Sequence, residues 1–496
     1  MAKAQAVAQT TQKKETSHWL ILIFLALAQF MVVLDASIVN VALKSIQASF
    51  HMSTSNLQWI VTAYALTFGG FLLLGGRAAD LFGRRKVFLI GVTAFIIASL
   101  ADGLAPSGGF LIVFRAIQGL AGAFMSPAAL SIVLVTYNEG HERNVALSVW
   151  GAVASGGAAA GVLFGGIFTQ FLGWRFNFFI NVPVGILVLI VARRIVPRHE
   201  STAEHRHLDA AGAVLITGSL MLLVYGLTEA PAHGWTSVSS LIYFGLFILG
   251  IIGFIFNEQR SAHPLIPLKI FKIRNLSGGD SLMMLMAASL FAAFFFVSLF
   301  IQDVMGFSPS RTGVSFLVIP FAIAAVATNV PKVIQKIGFR PILIVAPLFV
   351  SAAFLLLSRI HVGAHYWTTL APGLILLGLG AGGTFVATSI AATSGVAKHE
   401  SGLASGLLNT SQQLGGALGL AILAGIAASS TSRFVGKLHG APSKLQVATA
   451  TVHGFHDALL TAAGFALMAS LLGVFVIRQP KGVISAAGAE PVAAMH

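Results

Sequence analysis

The sequence predicts an all-α polytopic membrane protein with fourteen spans, and three observations carry that prediction. Of 496 residues, 56% are hydrophobic and 9% are charged, against roughly 25% charged in a soluble chain; the mean hydropathy is +0.87. Runs of about 20 apolar residues, enough for a helix to cross about 30 Å of hydrocarbon, recur along the chain. When the intervening loops are assigned alternately to two sides, the Lys and Arg residues divide about three to one, as the positive-inside rule requires. Removing any one run would reverse the later loops and destroy that bias.

In order, residues 1–18 form a polar cytoplasmic tail with Lys3, Lys13 and Lys14. The next run is too long for a signal-peptide core and reads as an uncleaved span. The runs fall near 19–41, 57–75, 87–104, 110–135, 145–171, 176–196, 210–229, 239–257, 281–301, 312–331, 341–360, 367–391, 402–428 and 456–477. Both termini therefore lie on one side. VPKVIQKIGFR (Val330–Arg340) reads as a worn copy of GRAADLFGRRK (Gly76–Lys86), and LGLGAG (Leu377–Gly382) echoes QGLAGA (Gln118–Ala123). Internal repeats of this kind mark secondary transporters. They give two six-helix bundles, 19–197 and 276–478, around a linker and inserted helix pair at 198–275, with a cytoplasmic tail at 479–496.

Several function classes drop out. The net charge of +14 is spread between apolar runs, which is topology and not nucleic-acid recognition. There is no cysteine, so no disulfide or zinc-thiolate site, and no G-x-x-x-x-G-K-[ST] phosphate loop. No Ser/His/Asp set or paired catalytic carboxylates stand in a workable arrangement, so no enzyme and no metal site are expected. His199, His205 and His207 read as part of a solvated linker.

Gly76–Lys86 reads as a short basic loop between two spans, held on the cytoplasmic side by Arg77, Arg84, Arg85 and Lys86. Gly76 and Gly83 would let it turn tightly, and Asp80 would pair with arginine or accept from helix N-terminal amides. Within the membrane, a carboxylate marks an ion or substrate path by default. Asp35, in the first run, and Arg115, in the fourth, each fall about six residues from the outer end, roughly 9 Å deep, and are expected to face one cavity. Burial penalises a charge and a close guanidinium favours it. A carboxylate that met arginine in one conformation only would therefore alternate between binding and releasing a proton. Gly157, Gly161 and Gly165 lie four apart, a stripe for close helix packing. Asn40, about 140° round the helix from Asp35, is expected to bond to a neighbouring helix. Asn40, Gln118, Gln302, Asn409 and Gln412 are candidates for lining a cavity. Asp280 is expected at an interface.

These stretches resemble the major facilitator superfamily and, within it, the fourteen-span drug:proton antiporters. Gly76–Lys86 is similar to the superfamily's G-x-x-x-D-[R/K]-x-G-[R]-[R/K] loop, with Leu81 in place of a base. FRAIQGLAG matches R-x-x-Q-G through Arg115, Gln118 and Gly119. LDASIVNVAL (Leu34–Leu43) resembles the antiporters' first-span motif, with Lys44 where proline is usual. The glycine stripe resembles G-x-x-x-G-P-x-x-G-G with Val162 in the proline position. WRFNFFINVPVG (Trp174–Gly185) resembles W-R-x-x-F-x-x-N-x-P-x-G, and Phe300–Pro320 and Ser401–Gly419 look like later segments of the same subfamily. The resemblance implies the major facilitator fold and alternating access, with Asp35 and Arg115 coupling proton entry to export and Gly76, Asp80, Gly83, Arg84 and Arg85 forming a cytoplasmic gate. It implies no cofactor beyond the proton gradient. Expected partners are protons, the bilayer and small lipophilic drug-like or secondary-metabolite substrates, cations included, with the chain acting as a monomer in the cell membrane and conferring antibiotic resistance. The missing proline leaves a uniporter or proton symporter open; from another class, so does a non-transporting sensor or scaffold.

Overall fold

The computed structural model describes residues 2–137, 141–197, 208–262, 264–397, 400–437 and 443–479, and no strand occurs among them. Fourteen helices among the described residues are long and apolar enough to cross a membrane. They are His18–Phe50, Trp59–Phe82, Arg84–Gly103, Gly108–Thr136, Val145–Phe171, Phe176–Ile195, Ala210–Ala230, Val238–Arg260, Arg274–Val304, Pro309–Ala327, Arg340–Leu357, Tyr366–Thr393, Ser401–Val435 and Leu445–Phe475, numbered here as spans one to fourteen. Each expected run has its helix. The linker histidines His199, His205 and His207 lie outside the described residues.

The helices outrun the apolar stretches, because hydropathy marks the contact with lipid whereas a helix continues as long as its i→i−4 bonds are made. Span one continues to Phe50 and span two to Phe82. Gly76–Lys86 is consequently not a loop. Gly76 is an ordinary helical residue, and only Gly83 breaks the chain, at φ 95°, before Arg84 opens span three. Asp35, expected near a helix end, sits near the middle of span one, while Arg115 is nearer the Gly108 end of span four.

The chain divides into two compact units. The first comprises Met1–Leu223, Ile242–Leu265 and Phe307–Val314; the second comprises Val224–Leu241, Ile266–Gly306 and Ser315–His496. Within the first, span one packs on four, five and six, span two on four, and span three on four and six. Within the second, span nine packs on twelve, thirteen and fourteen, span ten on twelve, and span eleven on twelve and fourteen. The same set of pairings is thus built twice. Span eight is largely exposed along its length, and the Asn257 amide at its end donates to both carboxylate oxygens of Asp209 at 2.9 and 2.8 Å.

Glycines set the closest approaches. A Cβ on Gly157 would lie 3.2 Å from the Phe30 carbonyl oxygen, one on Gly161 would strike Ser37, and one on Gly165 would lie 2.5 Å from the Ile38 carbonyl oxygen. The stripe therefore seats span five along the segment of span one that carries Asp35. Val162 leaves that helix unbroken.

Candidate functional site

Span four meets span two where Gly119 has no side chain: a Cβ there would collide with Thr67 and the Tyr64 carbonyl. Thr67 Oγ1 closes the gap by donating to the Ala116 carbonyl at 2.8 Å. One turn away, this approach lays the Arg115 guanidinium over the Tyr64 ring, 4.3 Å from its centroid. Arg115 Nη1 donates to Asp35 Oδ2 at 2.6 Å and to Gln118 Oε1 at 2.6 Å, and its Nε donates to the Ile60 carbonyl at 3.1 Å. Gln118 Nε2 reaches Asp35 Oδ1 at 2.9 Å, and Asn181 Nδ2 reaches the same oxygen at 2.8 Å. Both amides also donate to Ser99 Oγ, at 2.8 and 2.9 Å, and that hydroxyl donates to the Phe178 carbonyl. Asp35, Arg115 and Gln118 have no exposure.

Both charges are therefore compensated by hydrogen bonds as well as by each other, the condition under which a buried pair is tolerated. The arrangement can do one thing that a lone buried carboxylate cannot: it offers Asp35 either a guanidinium or a proton as its neutralising partner.

The expected residues fall into several places. Asp35, Arg115 and Gln118 come together in one cluster. Asn40 is buried and its amide donates to the Ala36 and Ser37 carbonyls of its own helix, both at 3.2 Å. Gln302 lies in a π-helical turn, Phe300–Val304, and donates to Ser298 Oγ at 3.1 Å. Asp80 pairs with Arg84 at 3.2 Å across the Gly83 break. Arg85 donates to the Arg193 carbonyl near the end of span six.

In the second unit, Asn409 and Gln412 line a cavity of about 260 Å³ with Met283, Phe385, Ser389, Thr393, Ser405 and Leu408. Asp280, expected at an interface, is buried one turn before Met283, and neither of its carboxylate oxygens has a hydrogen-bond partner. Asp280 starts the apolar run, but the helix begins six residues earlier, at Arg274.

Sequence reasoning missed four members of the cluster. Asn181 stood in the motif Trp174–Gly185 without a role assigned to it. Its neighbour Trp174 is buried, donating Nε1 to Ser49 Oγ at 3.0 Å. Ser99 and Tyr64 gave no signal, being ordinary residues in apolar runs. Asp102 was hidden by its place at the edge of a run; it is fully buried.

Fourteen membrane-length helices among the described residues, the same helix pairings built in each of two units, and a buried, hydrogen-bonded ion pair inside the first unit mark a multi-pass membrane protein of the secondary-transporter type. The family model described as Major Facilitator Superfamily matches residues 25–420, and the chain belongs to that superfamily. It is 37% identical over 469 residues to the puromycin resistance protein of Streptomyces alboniger, covering 94% of this chain and 92% of that one. It is 35% identical over 497 residues to a cephamycin export protein of Amycolatopsis lactamdurans, covering 98% and 99%. Among solved structures, an auto-inhibited POT family peptide transporter superposes with a TM-score of 0.67 at 14% identity, over 95% of this chain and 99% of that one, a likeness of fold.

Proposed function

We propose that this protein exports lipophilic, drug-like secondary metabolites from the cell across the cell membrane by alternating access, in exchange for protons. The observation that carries the coupling is the buried Asp35–Arg115 pair with its amide and hydroxyl cradle. A proton arriving on Asp35 would displace Arg115, and the loss of that ion pair would favour the other conformation. Release of the proton would restore the pair and the first conformation. Transport, not catalysis, is the work assigned to the chain, and the proton gradient is its energy source.

Export of antibiotics is supported by the relatives that carry puromycin resistance and cephamycin export in their names. The cavity of the second unit suits such cargo, with Phe385, Met283 and Leu408 supplying apolar surface and a few hydroxyl and amide groups supplying orientation. Asp280, without a hydrogen-bond partner and one turn before the lining residue Met283, favours a cationic group on the substrate. The bias of Lys and Arg between loops supports cytoplasmic termini, and two units within one chain support a working monomer.

The test is movement of a lipophilic cationic dye in proteoliposomes under an imposed pH gradient. Wild type should move dye when a gradient is applied and Asp35→Asn should not, because a neutral amide can neither take up the proton nor hold Arg115. Gradient-driven movement that survives in Asp35→Asn would move the coupling site elsewhere.

A further inference from the structure

The cluster contains two unmatched and complementary groups. Arg115 spends Nε and Nη1 on hydrogen bonds, but its buried Nη2 has no partner. Asp102 is wholly buried and neither of its carboxylate oxygens has a partner. Asp102 stands three residues after Ser99, so both lie on one face of span three, about 4.5 Å apart along its axis. Ser99 is bonded to Gln118 and Asn181, the two amides that also hold Asp35. Arg115 donates to Asp35 and to Gln118, and Gln118 in turn donates to Ser99, one turn from Asp102, so a single bonded amide separates the guanidinium from the Asp102 turn of span three.

The groups facing this pocket from the neighbouring helices are Asp35 on span one, Tyr64 on span two and Arg115 on span four. Arg175 is stacked on Trp174 and donates to the carbonyl of Ala105, three residues after Asp102, at 3.1 Å. An ionised carboxylate buried without a hydrogen bond is far costlier than the neutral acid. Asp102 is thus the acid of the cluster that carries a proton while Asp35 is paired with Arg115.

Resting on the antiport reading above, we infer that Asp102 is a second proton carrier of this site and the alternative seat of Arg115. In the step so defined, the O–H bond of Asp102 breaks and an O–H bond forms on Asp35. The Asp35–Arg115 ion pair opens as an Arg115–Asp102 pair forms. One proton and one guanidinium change places, so the net charge of the cluster is the same before and after. That balance matters in a fully buried site, where any intermediate with an uncompensated charge is strongly disfavoured.

Two measurements on purified protein test this. Infrared spectra should show a protonated-carboxyl stretch in wild type that is lost in Asp102→Asn and lost also in Asp35→Asn, where Arg115 has only an ionised Asp102 left to pair with. In proteoliposomes, dye movement driven by a pH gradient should be lost in Asp102→Asn and restored in Asp102→Glu, which keeps the acid. Asp102 makes no hydrogen bond, so asparagine strands no partner. A wild-type spectrum lacking the band that Asp102→Asn removes would overturn the inference, as would gradient-driven transport by Asp102→Asn at the wild-type level. Wild-type vesicles indifferent to the gradient would instead overturn the antiport reading, and the spectrum alone would then decide whether Asp102 holds a proton.

Discussion

The two units share a framework and differ in chemistry. Gly119 of span four and Gly378 of span twelve occupy equivalent places: a Cβ on the first would meet the Tyr64 carbonyl of span two, and on the second the Ile319 carbonyl of span ten. Gly161 of span five rests on span one, and Gly415 and Gly419 of span thirteen rest on Met284 and Ala288 of span nine. Gly83 and Gly338 break the chain at φ 95° and 81°. Yet where span four carries Arg115 and Gln118, span twelve carries Leu374 and Leu377 at the same register, both fully buried. Close packing of helix backbones is a demand that both units must meet, so its small residues recur. A buried charge serves only a unit that uses it, and elsewhere the position reverts to leucine.

Placing the second unit's residue into the first gives the sharpest test. Arg115→Leu leaves Asp35 buried without its cation, and breaking a buried pair in this way costs about 3–5 kcal/mol. The melting temperature of the detergent-solubilised protein should fall accordingly. Adding Asp35→Asn to Arg115→Leu removes the stranded charge and should restore most of the stability, with gradient-driven transport still absent. A double variant as unstable as the single one would mean that the pair holds the unit together and that the leucines of span twelve are no guide to it.

Much of this contrast was legible beforehand. The fourteen spans followed from apolar length and the distribution of bases, since the bilayer imposes both. Asp35 and Arg115 stood out because charges within apolar runs are rare; they were expected to face one cavity, and they meet directly at 2.6 Å with neither exposed. Helix lengths were not legible, because bonds within a helix continue past the edge of hydrophobicity; that error misread Gly76–Lys86 as a loop and put Asp35 too close to a helix end. Ser99, Tyr64 and Asn181 act by converging from three different helices, and spacing along the chain carries no record of convergence.

The glycine contacts predict a smaller and matched effect. Gly119→Ala and Gly378→Ala each force a methyl group against a neighbouring helix's backbone, and overpacking of this kind costs about 1–3 kcal/mol. Thermal unfolding should therefore register similar losses for the two. Transport should suffer more from Gly119→Ala, because the displaced helix carries Arg115, which lies over the Tyr64 ring of span two. Equal losses of transport would show that the two units contribute to function through shape alone.

The smallest predicted effect concerns the arginines that follow the breaking glycines. Arg85 donates to the Arg193 carbonyl near the end of span six, and Arg340 donates to the Val474 carbonyl near the end of span fourteen at 2.7 Å. Each ties the start of one helix to the carbonyl-rich end of another helix of its unit, where cations are favoured. Alanine at either position removes about 1 kcal/mol or less, since both side chains are partly solvated. Hydrogen exchange should show earlier opening confined to the last turn of span six in Arg85→Ala and of span fourteen in Arg340→Ala. Opening that spread through a whole unit would make the arginine a clamp on its fold. A change in transport with Arg85→Ala alone would separate the two positions, leaving the tether common to both units and the gate particular to the first.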